Sequence, residues 1–462
     1  MLKRKIDEQL SFWLKNRTQA LLIDGARQIG KTFSISNFLN ANFSNVIKID
    51  FSKNPDLIDS FALLNNSDDL MLRLSLVAGN KLIPNHTAIF FDEIQLLYKR
   101  RDELRKANRL SFVTQDIITA MKSLVKKGEY RFILSGSLLG VTIKDIVLNP
   151  TGYLDEYKMY PLDFEEFLWA KGVGQAAIDH AKECFKKKIP VDQSVNEMFL
   201  KYFREYVLIG GMPEAVESFV SKNNLYLVQE IHQQILKRYR LDITTYILDE
   251  GLKLRIRDVY KAIPSQLSSK NMRFISSQVL DKQYLKSHSM EDEFLWLTAA
   301  GVAIPVYNVS EPVVPLALSR ERKTLKLFFS DTGLLVSELV DTGIREKLLN
   351  NETVINYGAP YENVAAQELI CHGFDEELFY FNSKSHGEVD FLVTLNNDVL
   401  PLEIKSGKPK EKQIYNRSTL NNIIKTYKYK TAYVFGESNL TKESDVIYLF
   451  PIYMIDFLRK TK

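Results

Sequence analysis

Gly25-Ala-Arg-Gln-Ile-Gly30-Lys31-Thr32 sets two glycines, a lysine and a hydroxyl at the GxxxxGK[ST] spacing of a phosphate-binding loop. Gly25 and Gly30 let the backbone turn left-handed and come close to an anion. Backbone N–H groups at the following helix start then surround the phosphates. Lys31 is expected on the β- and γ-phosphates, and Thr32 on Mg²⁺. Downstream, Thr87-Ala-Ile-Phe-Phe91 ends in Asp92-Glu93. Acids closing an apolar strand need a cation or water. Asp92 is placed to hold Mg²⁺ through water, and Glu93 to orient or deprotonate an attacking water. Arg131–Leu134 runs into Ser135-Gly136-Ser137. Ser135, or Ser137, is placed to sense the γ-phosphate; an ordinary Ser-Gly turn is the plain alternative.

A second set of charged residues lies near the C-terminus. Glu388-Val-Asp390-Phe-Leu-Val-Thr-Leu395 is joined by Asn396-Asn397 to Asp398-Val-Leu-Pro-Leu-Glu403-Ile-Lys405. Two strands with a two-residue turn form a tight hairpin. Pairing Leu395 with Asp398 sets Asp390 opposite Glu403, with Lys405 on the same face. Opposed like charges destabilise a sheet. A divalent cation, Mg²⁺ or Mn²⁺, between them removes that penalty. Tyr361–His372 reads as a helix with an apolar stripe of Ala365, Ala366, Leu369 and Ile370. Glu362 falls at the centre of the stripe, so it needs a buried partner, and the metal site supplies one.

Elements must carry these residues. Ala20–Ile23, Val46–Phe51, Ala88–Phe91, Arg131–Leu134 and Glu156–Tyr160 read as strands between helical stretches. Most are apolar on both faces, as in a parallel sheet covered by helices. In the order 5-1-4-3-2, the strand ending at Ser135 lies between the first and the third. Asp163 to about Leu248 reads as helical, with a break at Gly210-Gly211-Met212-Pro213. Short helices near Ile256–Leu267 and Met290–Ala300 precede two strands, Ala303–Val309 and Leu325–Phe329. From about Gly358 the order is helix, three strands, helix, two strands.

Composition bounds the function classes. The 462 residues suggest about three domains, and 45% hydrophobic with 26% charged residues excludes disordered and fibrous classes. Cys184 and Cys371 are the only cysteines and form no CxxC pair, which argues against a disulfide framework and for a reducing cytoplasm. The N-terminus lacks the apolar core of a secretory signal, and no apolar run reaches the ~20 residues of a membrane span. A net charge of +4 admits a nucleic-acid partner without requiring one. A basic stretch, Lys405, Lys408, Lys410, Lys412, Arg417, Lys425, Lys428 and Lys430, interleaved with Tyr415, Tyr427 and Tyr429, favours a phosphate backbone; a solvated face is the alternative.

GARQIGKT, FFDEIQ, LSGS, YPLDFEEFLWA and LIGGMPEAV together resemble a bacterial and archaeal family of AAA-type ATPases. So do FLWLTAAGVAIPVYNV, LKLFFSDTGLL and YENVAAQEL, over nearly the whole chain. The family's C-terminal domain is of uncharacterised function. The resemblance implies an α/β fold: an ATPase core over 1–162, a helical lid over 163–250, a winged-helix-like domain over 251–340 and a C-terminal domain over 350–462. It implies ATP and Mg²⁺, with Gly25, Gly30, Lys31, Thr32, Asp92 and Ser135 at the nucleotide and Glu93 catalytic. Many relatives carry an arginine where this chain has Gly152-Tyr153, so no arginine finger is assigned. Winged helices often read DNA, but the helix Asp292–Ala300 is apolar or acidic, which favours a structural role. Arg320, Arg322 and Lys323 in the wing could touch phosphates. The D–x(12)–ExK spacing, with a helical Glu upstream, resembles the PD-(D/E)xK restriction-endonuclease superfamily. Carried over, Asp390, Glu403 and Glu362 are metal ligands, and Lys405 stabilises developing negative charge. Together these imply an ATPase acting on or near nucleic acid, DNA foremost. The alternative is a nucleotide-gated regulatory protein with an inert C-terminal module. A homo-oligomer is compatible with either.

Overall fold

A computed structural model describes residues 2–109, 114–137, 152–247, 249–269, 272–279, 290–350, 358–375, 377–406 and 418–460. The chain forms two compact units. One comprises Lys3–Tyr160 with Ala299–Gly301, and the other the remaining residues.

The first unit is built on β1 (Ala20–Asp24), β2 (Asn45–Asp50), β3 (Thr87–Asp92), β4 (Arg131–Gly136) and β5 (Leu154–Lys158). All are parallel, in the order β2-β3-β4-β1-β5, the expected 5-1-4-3-2. β1 and β3 are buried along their whole length, which their two-sided apolar sequences require. On one face Phe51 stacks on Phe91 at 6.3 Å, with Phe61 edge-on to Phe51 at 5.7 Å. β5 starts two residues earlier than its sequence suggests and is only half-buried, as an edge strand should be. Because β1 and β3 are central, Gly25 and Asp92 leave the sheet at its C-terminal edge, where α/β sheets hold their ligands.

The second unit opens with helices Phe164–Ala170, Gln175–Lys187, Gln193–Ile209, Pro213–Lys222 and Leu225–Tyr246, as the helical pattern predicts. The glycine pair is more than a break. Gly210 has φ +74°, and a Cβ on Gly211 would sit 2.1 Å from the Leu162 carbonyl oxygen. Gly211 N–H donates to Asp331 Oδ2 at 2.6 Å. A Cβ on Gly333 would meet the Ile209 carbonyl at 2.2 Å. The segments LIGGMPEAV and SDTGLL are thus two halves of one close backbone contact. Burial raises the Asp331 carboxyl to about 6, although backbone amides donate to it.

The two strands expected to form a wing, β6 (Ala303–Val309) and β7 (Arg320–Phe329), do pair with each other. They do not stand alone. β6 runs parallel to β8 (Phe379–Ser383), which is followed by β9 (Gly387–Leu395), β10 (Asp398–Ile404), β11 (Ala432–Gly436), β12 (Thr441–Lys442) and β13 (Ile447–Pro451). The result is one eight-stranded mixed sheet, β12-β13-β11-β10-β9-β8-β6-β7. The hairpin joins it because the free edge of β6 offers a row of unpaired backbone groups. Arg320 stacks on Tyr307 at 3.6 Å and Arg322 lies 3.9 Å from Glu291, so neither wing arginine is without an internal contact. In the helix Glu291–Ala299, Glu293 is buried on Arg255 at 2.6 Å, in keeping with a structural role. Among the described residues no helix is long and apolar enough to cross a membrane.

Candidate nucleotide site and a carboxylate cluster

The phosphate loop joins β1 to the helix Lys31–Asn42. Gly25, at φ +152°, has no room for a side chain: a Cβ would lie 2.2 Å from the Met159 carbonyl oxygen. Gly30 holds the helix start at φ +93° and Gln28 is also left-handed, at φ +63°. Lys31 is buried and donates to the Gly25 and Ala26 carbonyls, each at 2.7 Å. Its ammonium therefore lies inside the loop curve. Burial lowers its pKa, against the pull of Glu93, Asp24 and Asp92.

The strand-end residues converge as their spacing requires. Thr32 Oγ1 donates to Asp92 Oδ2 at 2.7 Å, and Ser135 Oγ to Asp92 Oδ1 at 2.5 Å. One carboxylate thus links β3, β4 and the loop helix. Burial, then the Glu93 charge, raises the Asp92 pKa, and the two hydroxyls oppose the rise. Ser135 is committed to Asp92, which gives it an orienting role. Ser137 donates to Glu93 Oε2 at 3.1 Å and accepts from Arg27 Nε at 3.0 Å. Glu93 also accepts from Gln95 and sits at φ +59°, a costly backbone for a non-glycine. That turn aims its carboxylate beyond the strand end. Sequence reasoning missed Arg27 and Gln95; the only signal was their position inside the two motifs.

The C-terminal hairpin has the predicted register. Asp398 pairs with Leu395 and Leu402 with Phe391, so Asp390 and Glu403 are opposed. Asp390 Oδ2 accepts from Ile404 N at 2.7 Å, and Lys405 Nζ lies 2.5 Å from Glu403 Oε1. Glu362, on the buried helix Gly358–Leu369, joins them. What the sequence did not show is Lys326. This β7 lysine is wholly buried, with Nζ 2.9 Å from Glu362 Oε2 and 2.7 Å from Glu388 Oε1. Four carboxyls, Glu362, Glu388, Asp390 and Glu403, thus share one side of the sheet with Lys326 and Lys405. Burial drives Glu362 to about 7 and Glu403 to about 8, with the Asp390 charge adding to both. Asp390 is raised for the same first reason. Burial works against the charge on Lys326, but Glu362, Asp390 and Glu388 outweigh it and raise its pKa.

The basic stretch is only partly visible: Lys408, Lys410, Glu411, Lys412, Tyr415 and Arg417 lie outside the described residues. Tyr427 and Tyr429 pack on each other at 5.9 Å, and Tyr429 donates to the Pro312 carbonyl at 2.5 Å. Tyr429 belongs to the core, and Tyr427, half-buried, packs against it.

Residues 17–168 match the family model of an AAA domain. With the sheet order and the loop geometry, this makes the N-terminal unit an AAA-type P-loop domain. Residues 200–352 and 357–455 match two domains of unknown function, DUF8612 and DUF4143. An uncharacterized protein of Haemophilus influenzae is 24% identical over 387 residues, covering 82% of this chain and 79% of that one. Among solved structures, a Walker-type ATPase of Pyrococcus abyssi is similar at TM-score 0.40 and 14% identity, covering 74% of this chain and 96% of that one. The RuvB Holliday junction branch migration motor of Thermotoga maritima is similar at TM-score 0.27 and 11% identity, covering 70% and 92%.

Proposed function

We propose that the chain is a cytoplasmic, Mg²⁺-dependent ATPase acting on or near DNA, with no membrane partner. The observation that carries the reading is the Thr32–Asp92–Ser135 linkage beside Lys31. It sets a Mg²⁺-binding hydroxyl, a carboxylate for the ion's water shell and a phosphate-binding ammonium around one loop. Gly25 and Gly30 let the backbone amides reach the phosphates. Glu93 takes the proton as water attacks the γ-phosphorus and ADP leaves. Ser135 keeps Asp92 oriented, and Ser137 does the same for Glu93.

The C-terminal unit supports two readings. Helix, three strands, helix, strand, with Asp390, Glu403 and Lys405 on one face and Glu362 beside them, favours a PD-(D/E)xK-like domain. Asp390, Glu403 and Glu362 would hold Mg²⁺ or Mn²⁺, and Lys405 would steady the charge on a cleaved phosphodiester. A specific observation favours the inert alternative: Lys326 already supplies a cation to Glu362 and Glu388. The full chain, incubated with plasmid DNA and Mg²⁺ or Mn²⁺, with and without ATP, tests both. ATP turnover lost in Glu93→Gln, with plasmid nicking lost in Asp390→Asn, supports the first. ATP turnover without nicking supports the inert module, and absence of turnover would overturn the ATPase reading itself.

A further inference from the structure

A second buried group of ligand-type side chains lies in the C-terminal unit, apart from the carboxylate hairpin. Asp163 caps the helix Phe164–Ala170: its Oδ1 accepts from Glu166 N at 2.9 Å. Its other oxygen, Oδ2, faces His372 Nε2 at 3.3 Å. His372 lies in the turn that closes the helix Gly358–Leu369, where Gly373 at φ +94° ends the run. The Lys460 amide donates to the His372 carbonyl at 3.1 Å and holds that turn against the C-terminal segment. His372 Nε2 is also 3.4 Å from Asp456 Oδ1, on the 3₁₀ turn Ile452–Phe457. One ligand atom of each of the three lies within 4.8 Å of the others.

Glu368 lies beside this group. It sits one helical turn before His372 and is fully buried. Its Oε1 accepts from Phe164 N at 3.1 Å and from Tyr206 Oη at 2.8 Å. Burial, with the neighbouring Asp456 and Asp163 charges, raises the Glu368 pKa well above the usual carboxyl range, and the carboxyl shares a side-chain hydrogen bond with Asp456.

The spacing distinguishes a metal site from a plain ion pair. Charge-assisted N–H···O⁻ bonds close to about 2.7–2.9 Å, whereas His372 stands at 3.3 and 3.4 Å from its two carboxylates. Tetrahedral Zn²⁺ with Zn–N and Zn–O bonds of about 2.0–2.1 Å sets its ligands about 3.3–3.4 Å apart. Arg459, 3.3 Å from Glu165, also offers its positive charge to Asp456, Asp163 and Glu368.

We propose that Asp163 Oδ2, His372 Nε2 and Asp456 Oδ1 form a buried three-ligand site for one Zn²⁺. All three ligand residues are shielded from solvent, so the ion would be structural rather than catalytic. It would tie a helix start, a helix end and the final turn of the chain, three places distant in sequence. The mixed imidazole and carboxylate donors suit Zn²⁺ rather than Mg²⁺ or Ca²⁺.

Elemental analysis of the full-length protein, purified without chelators or a metal-affinity tag, tests this directly. The expected result is one zinc per chain. Chelator-treated protein should regain its original melting temperature as Zn²⁺ is added, but not with Mg²⁺. Asp163→Ser keeps a helix-capping hydroxyl while removing a ligand, and His372→Gln removes the imidazole. Both should lose stoichiometric zinc, and Asp390→Asn should retain it. Should these variants not fold, Co²⁺ loaded into the chelator-treated wild type should give the intense visible bands of four-coordinate cobalt. Wild-type protein that neither contains nor binds zinc would overturn the proposal. So would zinc retained equally in all three variants.

Discussion

Removing the Lys326 ammonium probes the carboxylate cluster most sharply. Lys326→Met keeps the length and apolar stem but leaves Glu362 and Glu388 facing each other. Deleting one partner of a buried ion pair costs about 3–5 kcal/mol. At about 2–4 °C per kcal/mol for a unit of this order of size, melting of the C-terminal unit should fall by about 6–20 °C. The loss should depend on pH. Glu362 and Glu403, at about 7 and about 8, lie above their ordinary values. The native state therefore keeps protons that the unfolded chain has released, and stability falls as pH rises from about 4.5 through about 8. Lys326 is among the groups that hold Glu362 down, so its removal moves that carboxyl further up. The variant should then lose less near pH 5, where Glu362 and Glu403 are protonated, and the full amount above about pH 8. Thermal melts at both pH values measure this, and Glu362→Gln on the same background should recover much of the loss. Equal losses at both pH values, or none, would refute the idea that Lys326 acts as the cluster's cation.

Three further outcomes are expected. Lys31→Ala should abolish productive ATP–Mg²⁺ binding by calorimetry, since one buried cation is lost from a site for a polyanion; unchanged affinity would remove the nucleotide assignment. Glu93→Gln should bind ATP but turn it over about 10²–10⁴-fold more slowly, because an amide cannot accept the proton. Wild-type turnover there would mean that another group is the base. Gly211→Ala should lower the melting temperature by several degrees, as its methyl would sit 2.1 Å from the Leu162 carbonyl. An unaltered melt would show that the two segments can part at little cost.

What the sequence showed and what it hid follow from the range of the interactions. The loop, the Asp92-Glu93 pair and the sheet order rest on short spacings and two-sided apolar strands. The Asp390–Glu403 register follows from a two-residue turn and the alternation of strand faces, and the structure keeps it. Lys326 was invisible because its partners Glu362 and Glu388 reach it only after β7 has joined the same sheet. The Gly210-Gly211 pair read as a helix break, yet the reason for two glycines is Asp331 and Gly333, far along the chain. Of the tyrosines interleaved in the basic stretch, Tyr429 is buried in the core because its hydroxyl reaches the distant Pro312 carbonyl, and half-buried Tyr427 packs against the same core.

The parallel pairing of β6 with β8 also governs how this half of the molecule can be dissected. Tyr307 aligns with Phe379 and Asn308 with Tyr380, so the sheet does not end where β8 begins. A fragment starting near residue 350 would leave the outer backbone groups of β8 open to solvent, next to the buried side chains Phe379, Tyr380 and Phe381. An open, apolar edge strand recruits other chains. Such a fragment should aggregate during refolding, and one starting before Ala303 should remain dispersed. During synthesis, the ribosome must release β9 and β10 while β6 and β7 already wait. The β6–β7 hairpin, made first along the chain, would then serve as the template on which the last third of the chain assembles.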